Sequence, residues 1–302
     1  MKIATTIEDF YKFSKDPLKC IEWASDCGFK YLDYSFYDLD TILGTPLEND
    51  NYREYLDKII KKCNLLGVKF VQAHAPMGKF LVKDADYETY MFVLRRCIEC
   101  CSYLKIDNLV VHTGHKSGID KQDNFKLNKE FLLSILDFAE SLGVKILIEN
   151  YNKCVNPDVY YYIDNVYELL ELVNYVNHPN LYVCYDIGHA NMQDTPQHEQ
   201  IKHLGKYLKA LHVQDNNKLV DYHVAPFFGN TNYDSVMHGL KEIEYNGYFT
   251  LEANHFFMRE EFRTKFGENK LYTVPLELKL QAEKLLYDIA KHILVSYDCF
   301  EE

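Results

Sequence analysis

VKILIEN (144–150), then YIDNVYELLELVNYV (162–176), then LYVCYDIG (181–188) form one complete unit of the pattern that decides the fold. A short β-branched run gives way to apolar residues at helical spacing, and a second β-branched run follows. A strand–helix–strand order with so long a crossover joins parallel strands, since an antiparallel pair needs only a tight turn. The unit recurs in both directions. KIATTI (2–7), KYLDYSF (30–36), VKFVQAHA (68–75) and NLVVHTG (108–114) precede it, and LKALHVQD (208–215) and YFTLEAN (248–254) follow. Helical spacing marks 50–66, 85–104, 128–142, 231–245 and a last segment near 275–296. Gly67 and Gly143 each stand between a helical segment and the next strand, where a left-handed residue after the helix is expected.

Eight such units in 302 residues fit a closed (β/α)8 TIM barrel, an α/β fold that usually takes ~250 residues. An open dinucleotide-binding sheet would need G-x-G-x-x-G after its first strand, and the chain has none. No linker or shift of composition interrupts the pattern, so one domain over 1–302 is expected. Apolar residues make up 47% and charged residues 26%, the mix of a chain with a packed core. Net charge is −12, and only five of the 33 basic residues are arginine (Arg53, Arg95, Arg96, Arg259, Arg263). Such a balance opposes binding to nucleic acid or an anionic membrane. No apolar run reaches the 18 residues of a membrane span, and the opening MKIATTIEDFYKF lacks the apolar region of a signal peptide. The nine cysteines (20, 27, 63, 97, 100, 101, 154, 184, 299) are odd in number and scattered, and Cys97-x-x-Cys100 lies in a helical pattern with no second pair. Reduced, packing thiols and a cytoplasmic location are therefore expected.

The ends of the strand-like runs carry the chemistry. The third run holds His74, the fourth His112, the fifth Glu149 and the sixth Asp186, spaced by 38, 37 and 37 residues, with His189 three residues further on. The seventh holds His212 and Asp215, with Asp221 and His223 in its loop, and the eighth holds Glu252. In a barrel these all reach the C-terminal mouth, where active sites of this fold lie. A single His ending a strand is commonly a hydrogen-bonded turn residue, and Asp186 alone reads equally well as a helix cap. Glu149 and Glu252 differ, because a carboxylate after a strongly apolar strand is costly unless paired or metal-bound. With Asp186 and His212 they make a mixed nitrogen–oxygen shell suited to a divalent cation such as Zn, Mn, Co or Mg. His115 and His255 are candidates for touching substrate. His178, His198, His203, His238 and His292 and the acidic loop 38–50 read as solvated, and the tyrosine run 160–162 reads as packing around the fifth loop, with lining of the pocket the lesser reading.

The last third carries a longer pattern: ALHVQDNN (210–217), DYHVAPFFG (221–229), YDSVM (233–237) and LKEIEYNGYFTLE (240–252). It resembles the H-x-x-D-N…D-x-H-x-x-P-G-x-G…G-Y-x-G-x-x-x-x-E pattern of xylose isomerase-like TIM barrels, a family of sugar isomerases, sugar epimerases and endonuclease IV. Phe227 replaces the glycine that follows the family's proline. The resemblance implies a single-metal shell of Glu149, Asp186, His212 and Glu252, with the two glutamates as acid and base on opposite faces of a sugar. It places His189 beside substrate, with His74, His112 and His223 as further substrate-binding candidates. It also matches the nine-ligand, three-zinc set of endonuclease IV: His74, His112, Glu149, Asp186, His189, His212, Asp221, His223 and Glu252.

Three features favour the sugar branch. The candidate mouth loops are almost free of arginine, the chain is acidic, and H-V-Q-D-N (212–216) is closer to the sugar pattern than to the nuclease's D-S ending. The arginine-poor mouth also disfavours a phosphorylated sugar, although Lys79, Lys83, Lys116, Lys121 and Lys218 lie in or near the loops. The expected function is a metal-dependent sugar isomerase or epimerase acting through a metal-stabilised enediolate. An endonuclease IV-like phosphodiesterase is the alternative, and a keto-sugar lyase, hydrolase or sugar-binding barrel the third reading. The expected partner is a small-molecule sugar; a homo-oligomer is compatible with the sequence.

Overall fold

A computed structural model describes residues 1–78, 81, 86–116, 118–153, 162–253, 255–257, 267 and 271–302. Lys79, Lys83, Cys154, Tyr160, Tyr161, Arg259 and Arg263 lie outside the described residues. The eight strands are β1 (Lys2–Thr6), β2 (Tyr31–Ser35), β3 (Lys69–His74), β4 (Asn108–Val111), β5 (Lys145–Glu149), β6 (Leu181–Asp186), β7 (Leu208–His212) and β8 (Tyr248–Leu251). They form one sheet in the order β7-β6-β5-β4-β3-β2-β1-β8, parallel throughout. The last seam closes just beyond β7, where Val213 pairs with Leu251 in a parallel bridge. There Val213 N–H donates to Thr250 O at 2.8 Å and Glu252 N–H to Val213 O at 3.0 Å. The barrel is thus nearly closed.

The helices are α1 (Pro17–Asp26), α2 (Tyr52–Leu66), α3 (Tyr87–Leu104), α4 (Lys121–Ser141), α5 (Val166–Val176), α6 (Ile187–Asn191), α7 (Gln197–Leu204), α8 (Tyr233–Glu242) and α9 (Leu276–Ser296). None among the described residues is long and apolar enough to cross a membrane. Side-chain caps start several of them. Asp16 accepts from Leu18 N–H ahead of Pro17 on α1, and Asn165 accepts from Glu168 N–H on α5. Gly67 and Gly143 adopt φ of +67° and +73°, the left-handed geometry expected of them. Two features depart from the sequence reading. Helix α4 starts at Lys121 rather than near 128, its first turns being capped by Asp120. The segment after β6 also winds directly into α6, which Asp186 caps.

Side-chain alternation along the strands sets the interior. Val110, Leu147, Cys184 and Ala210 pack together as a small apolar cluster. Two residues on, and hence on the same strand face, stand His112, Glu149, Asp186 and His212. Elsewhere in the interior Thr250 donates to Gln72 Oε1 at 3.3 Å, and Asp33 is buried. Burial pushes the Asp33 carboxyl above its usual range. The eight described cysteines are all free thiols, and seven are buried. Cys97 and Cys100 pack inside α3, and burial pushes Cys100 up to about 12.

Candidate metal centre and active site

Apolar strands carry polar termini to one end of the barrel, and those termini converge. Glu149 sits at the end of β5, 1% exposed, with Oε1 3.0 Å from His212 Nδ1 at the end of β7. Glu252, one residue past β8, brings Oε2 to 3.4 Å from the same nitrogen. Asp186 ends β6 fully buried, its Oδ1 accepting from His189 N–H at 2.6 Å. Donor atoms of Glu149, Asp186, His212 and Glu252 all lie within 4.8 Å of one another. Among the described residues, Glu149 Oε2 and Asp186 Oδ2 are buried without a hydrogen-bond partner. Buried carboxylate oxygens left without a hydrogen-bond donor are costly unless a cation meets them. The donor set therefore fits a divalent metal.

The remaining histidines are oriented by their outer nitrogens. Nδ1–H of His74 donates to Ala75 O at 2.8 Å, that of His189 to Asn150 O at 2.8 Å, and that of His223 to Glu252 O at 3.1 Å. A carbonyl oxygen only accepts, so each contact fixes the proton on Nδ1 and turns Nε2 inward. His74 Nε2 and His112 Nε2 are 3.1 Å apart and lie 3.5 and 3.6 Å from Glu149 Oε2. Ligands at roughly 2.0–2.1 Å in a tetrahedron around zinc are separated by about 3.3 Å, so this trio also has metal-site dimensions. A third group joins His189, Asp221 and His223, with both Nε2 atoms 3.1 Å from Asp221 Oδ2. All nine candidate ligands are thus brought to one mouth.

The electrostatics separate the two glutamates. Burial opposes ionisation of Glu149, but His212 and His112 outweigh it and hold its pKa well below the usual carboxylate range. Burial, followed by the charges of Glu149 and Asp186, pushes Glu252 well above it. Burial drives His112 down to about 3, so its imidazole is neutral at pH 7. Burial also opposes charge on His189, yet Asp186 and Asp221 hold its pKa well above normal.

A cavity of about 560 Å³ opens over these groups, with Tyr37, Met77, Tyr151 and Asn152 in its walls. None of these four was singled out by sequence. Tyr151 stacks on His112 with ring centroids 5.5 Å apart, and Asn152 Nδ2 donates to Asp221 Oδ2 at 3.2 Å. Asn150, also missed, staples β5 to β6: its side chain accepts from Asp186 N–H at 2.9 Å and donates to Asp186 O at 3.1 Å. His115 lines the cavity as well, and His255 N–H donates to His223 O at 3.2 Å. Lys121 faces elsewhere, paired with Glu168 and Glu171. His178 is less solvated than expected, 12% exposed and 3.1 Å from Asp137.

The pattern in the last third divides between chemistry and bracing. Asp215 accepts backbone N–H groups from Phe227 and Thr231, each at 3.0 Å, and so folds the β7–α8 loop rather than joining the donor clusters. A Cβ at Gly229 would overlap the Asp215 carboxylate and the Asn216 backbone, which explains the glycine. Phe227 adopts φ +74°, so the turn keeps a glycine's conformation without the glycine.

Comparison with known proteins follows the same line. A family model described as xylose isomerase-like TIM barrel matches residues 21–265. D-psicose 3-epimerase of Ruminiclostridium cellulolyticum is 28% identical over 134 residues, 44% of this chain and 43% of that protein. Fructoselysine 3-epimerase of Escherichia coli O157:H7 is 26% identical over 131 residues, 43% of this chain and 46% of that one. The matches thus span under half the length of these two relatives. Among solved structures, a D-psicose 3-epimerase in the presence of D-fructose superposes with a TM-score of 0.72 at 16% identity, over 97% of this chain and 99% of the other. An AP endonuclease, family 2, from Brucella melitensis gives 0.66 at 19% identity, over 84% and 93%. At such identity these superpositions speak for the fold alone, and both the sugar and the nuclease branches share it. The match to the family model runs through seven of the eight strands and every donor of the three clusters, and the chain belongs to the xylose isomerase-like TIM barrel family.

Proposed function

We propose that this protein is a divalent-metal-dependent sugar isomerase or epimerase in which Glu149 and Glu252 move a proton at the carbon beside a carbonyl. The observation that carries this reading is the pair itself: buried Glu149 and half-buried Glu252 lie 3.0 and 3.4 Å from one imidazole nitrogen, and their surroundings push the two acidities in opposite directions. Environments that push two acidities apart are what an acid–base pair requires. Glu149, Asp186, His212 and Glu252 would hold the cation, which when bound polarises the carbonyl and acidifies the neighbouring C–H. One glutamate takes that proton and the other returns one. Return to the opposite face inverts the carbon and gives an epimer; return to the adjacent carbon gives an aldose–ketose isomer. His189, held between Asp186 and Asp221, would donate to a substrate hydroxyl, and Tyr37 and Tyr151 suit the apolar faces of a sugar. The names of the two relatives, both 3-epimerases, support a ketose substrate, and the buried free thiols suit a reducing cytoplasm.

The test is to incubate metal-loaded protein with keto- and aldo-sugars in D₂O and follow deuterium uptake beside the carbonyl. Uptake with some sugar that vanishes on chelation supports the reading; a metal-loaded protein inert toward the whole panel counts against it. The three donor clusters favour one second reading, phosphodiester hydrolysis of abasic DNA by a three-metal centre. Net charge −12 opposes it. Robust incision of an abasic duplex with zinc at physiological salt would put that reading first.

A further inference from the structure

Gln214 lies between His212 and Asp215 and is fully buried, yet neither the donor clusters nor the proton transfer uses it. Its Nε2 lies 2.8 Å from Asp221 Oδ1 and 3.2 Å from Asp186 Oδ1. A carboxamide nitrogen carries two N–H groups, so it serves both carboxylates at once. Each bond selects an oxygen. Asp186 Oδ1 is taken by Gln214 and by His189 N–H, leaving Oδ2 as the bare atom. Asp221 Oδ1 is likewise taken, and Oδ2 faces His189 and His223 while also accepting from Asn152 Nδ2.

The side chain is also held in place. A Cβ at Gly188, on the first turn of α6, would overlap the Gln214 carboxamide, and Tyr233 OH donates to the Gln214 backbone carbonyl at 3.0 Å. Among the described residues Gln214 Oε1 is buried without a partner. The carboxamide thus leaves its own oxygen unsatisfied while its nitrogen serves the two carboxylates.

We infer that Gln214 is a positioning residue that ties Asp186 of the four-residue shell to Asp221 of the His189–Asp221–His223 group, and so fixes which carboxylate oxygens meet a cation. The inference rests on the metal-dependent reading above. Outer-sphere partners of this kind typically change metal affinity by about 10–100-fold.

Titration with Mn²⁺ alone, followed by calorimetry and by the electron paramagnetic resonance of the bound ion, tests it on wild type and on the Gln214→Met and Gly188→Ala variants. Methionine keeps the volume and removes both N–H donors; the alanine methyl displaces the carboxamide. The expected result is folded variants that bind Mn²⁺ about 10–100-fold more weakly, with an altered spectrum of the bound ion. Wild-type affinity and spectrum in either folded variant overturn the inference. Failure of both variants to fold overturns it too, since that makes Gln214 a folding residue. A wild type that binds no Mn²⁺ overturns the metal reading itself, a failure distinct from unchanged affinity in a folded variant.

Discussion

Glu149 at the end of β5 and Glu252 just past β8 share one imidazole: His212 Nδ1 lies 3.0 Å from Glu149 Oε1 and 3.4 Å from Glu252 Oε2. Their amide variants should behave alike in chemistry. Loss of a positioned acid or base costs about 10²–10⁴-fold in rate, and Glu149→Gln or Glu252→Gln also removes a charged donor from the shell. Both variants should abolish deuterium exchange on an identified sugar to at least that extent. A Glu252→Gln protein that retains its metal and turns over at the wild-type rate would end the two-glutamate mechanism.

His74 and His112 distinguish a one-ion site from a larger centre. Their Nε2 atoms converge on Glu149 Oε2, and burial drives the His112 pKa down to about 3. On the four-residue-shell reading, metal analysis of His112→Ala should show the same number of bound ions per chain as wild type; a lower number would favour the three-metal reading. Chelation of wild type should lower its Tm, because an ion present at 100 times its Kd stabilises the fold by about 2.7 kcal/mol. Identical Tm with and without chelator would show that these clusters bind no ion under the conditions used.

The fold and the donors were legible because both depend on local pattern. Each strand was visible as a β-branched run, and each donor closes a strand or lies in the loop after one. Short α6 was invisible, because its five residues merge with the end of β6. Gln214, Asn150 and Tyr151 were invisible for a different reason: their partners Asp186 and Thr113 arrive from other strands and loops. Asp215 shows the converse error of pattern, standing in the same run as His212 while bracing a loop.

Phe227 sits where the resembling pattern has glycine, at φ +74° with its N–H on Asp215 Oδ2. A left-handed residue with a Cβ costs about 1–2 kcal/mol. The ring is 58% exposed and edge-on to Tyr233 at 5.7 Å and His292 at 6.5 Å, so little packing offsets that strain. Phe227→Gly should therefore match or exceed wild type in Tm, whereas Phe227→Ala keeps the strain, loses the ring and should fall below it. Thermal unfolding of the three proteins decides the order. Equal losses in both variants would mean that the ring, not the backbone, sets stability there.

Asp9 provides a pH dependence far from the donor clusters. It follows β1, 4% exposed, with Oδ2 accepting from Thr5 Oγ1 at 3.3 Å and Oδ1 buried without a hydrogen-bond partner among the described residues. Lys279 and Glu283, ion-paired one turn apart on α9, are its buried charged neighbours. Burial, followed by Glu283, pushes the Asp9 carboxyl well above its ordinary 3.8, against the pull of Lys279. The native state therefore keeps this proton at pH values where the unfolded chain has lost it. Between the unfolded and folded values the native state binds more protons, so its stability falls as pH rises. Asp9→Asn has the same shape, carries no charge and offers an N–H to Glu283. Its Tm should lie close to wild type near pH 4 and rise above it by pH 8, by roughly 2–4 °C for each kcal/mol recovered. Other titrating groups are common to both proteins and cancel in the difference. Parallel Tm curves across that range would show that Asp9 folds with an ordinary pKa.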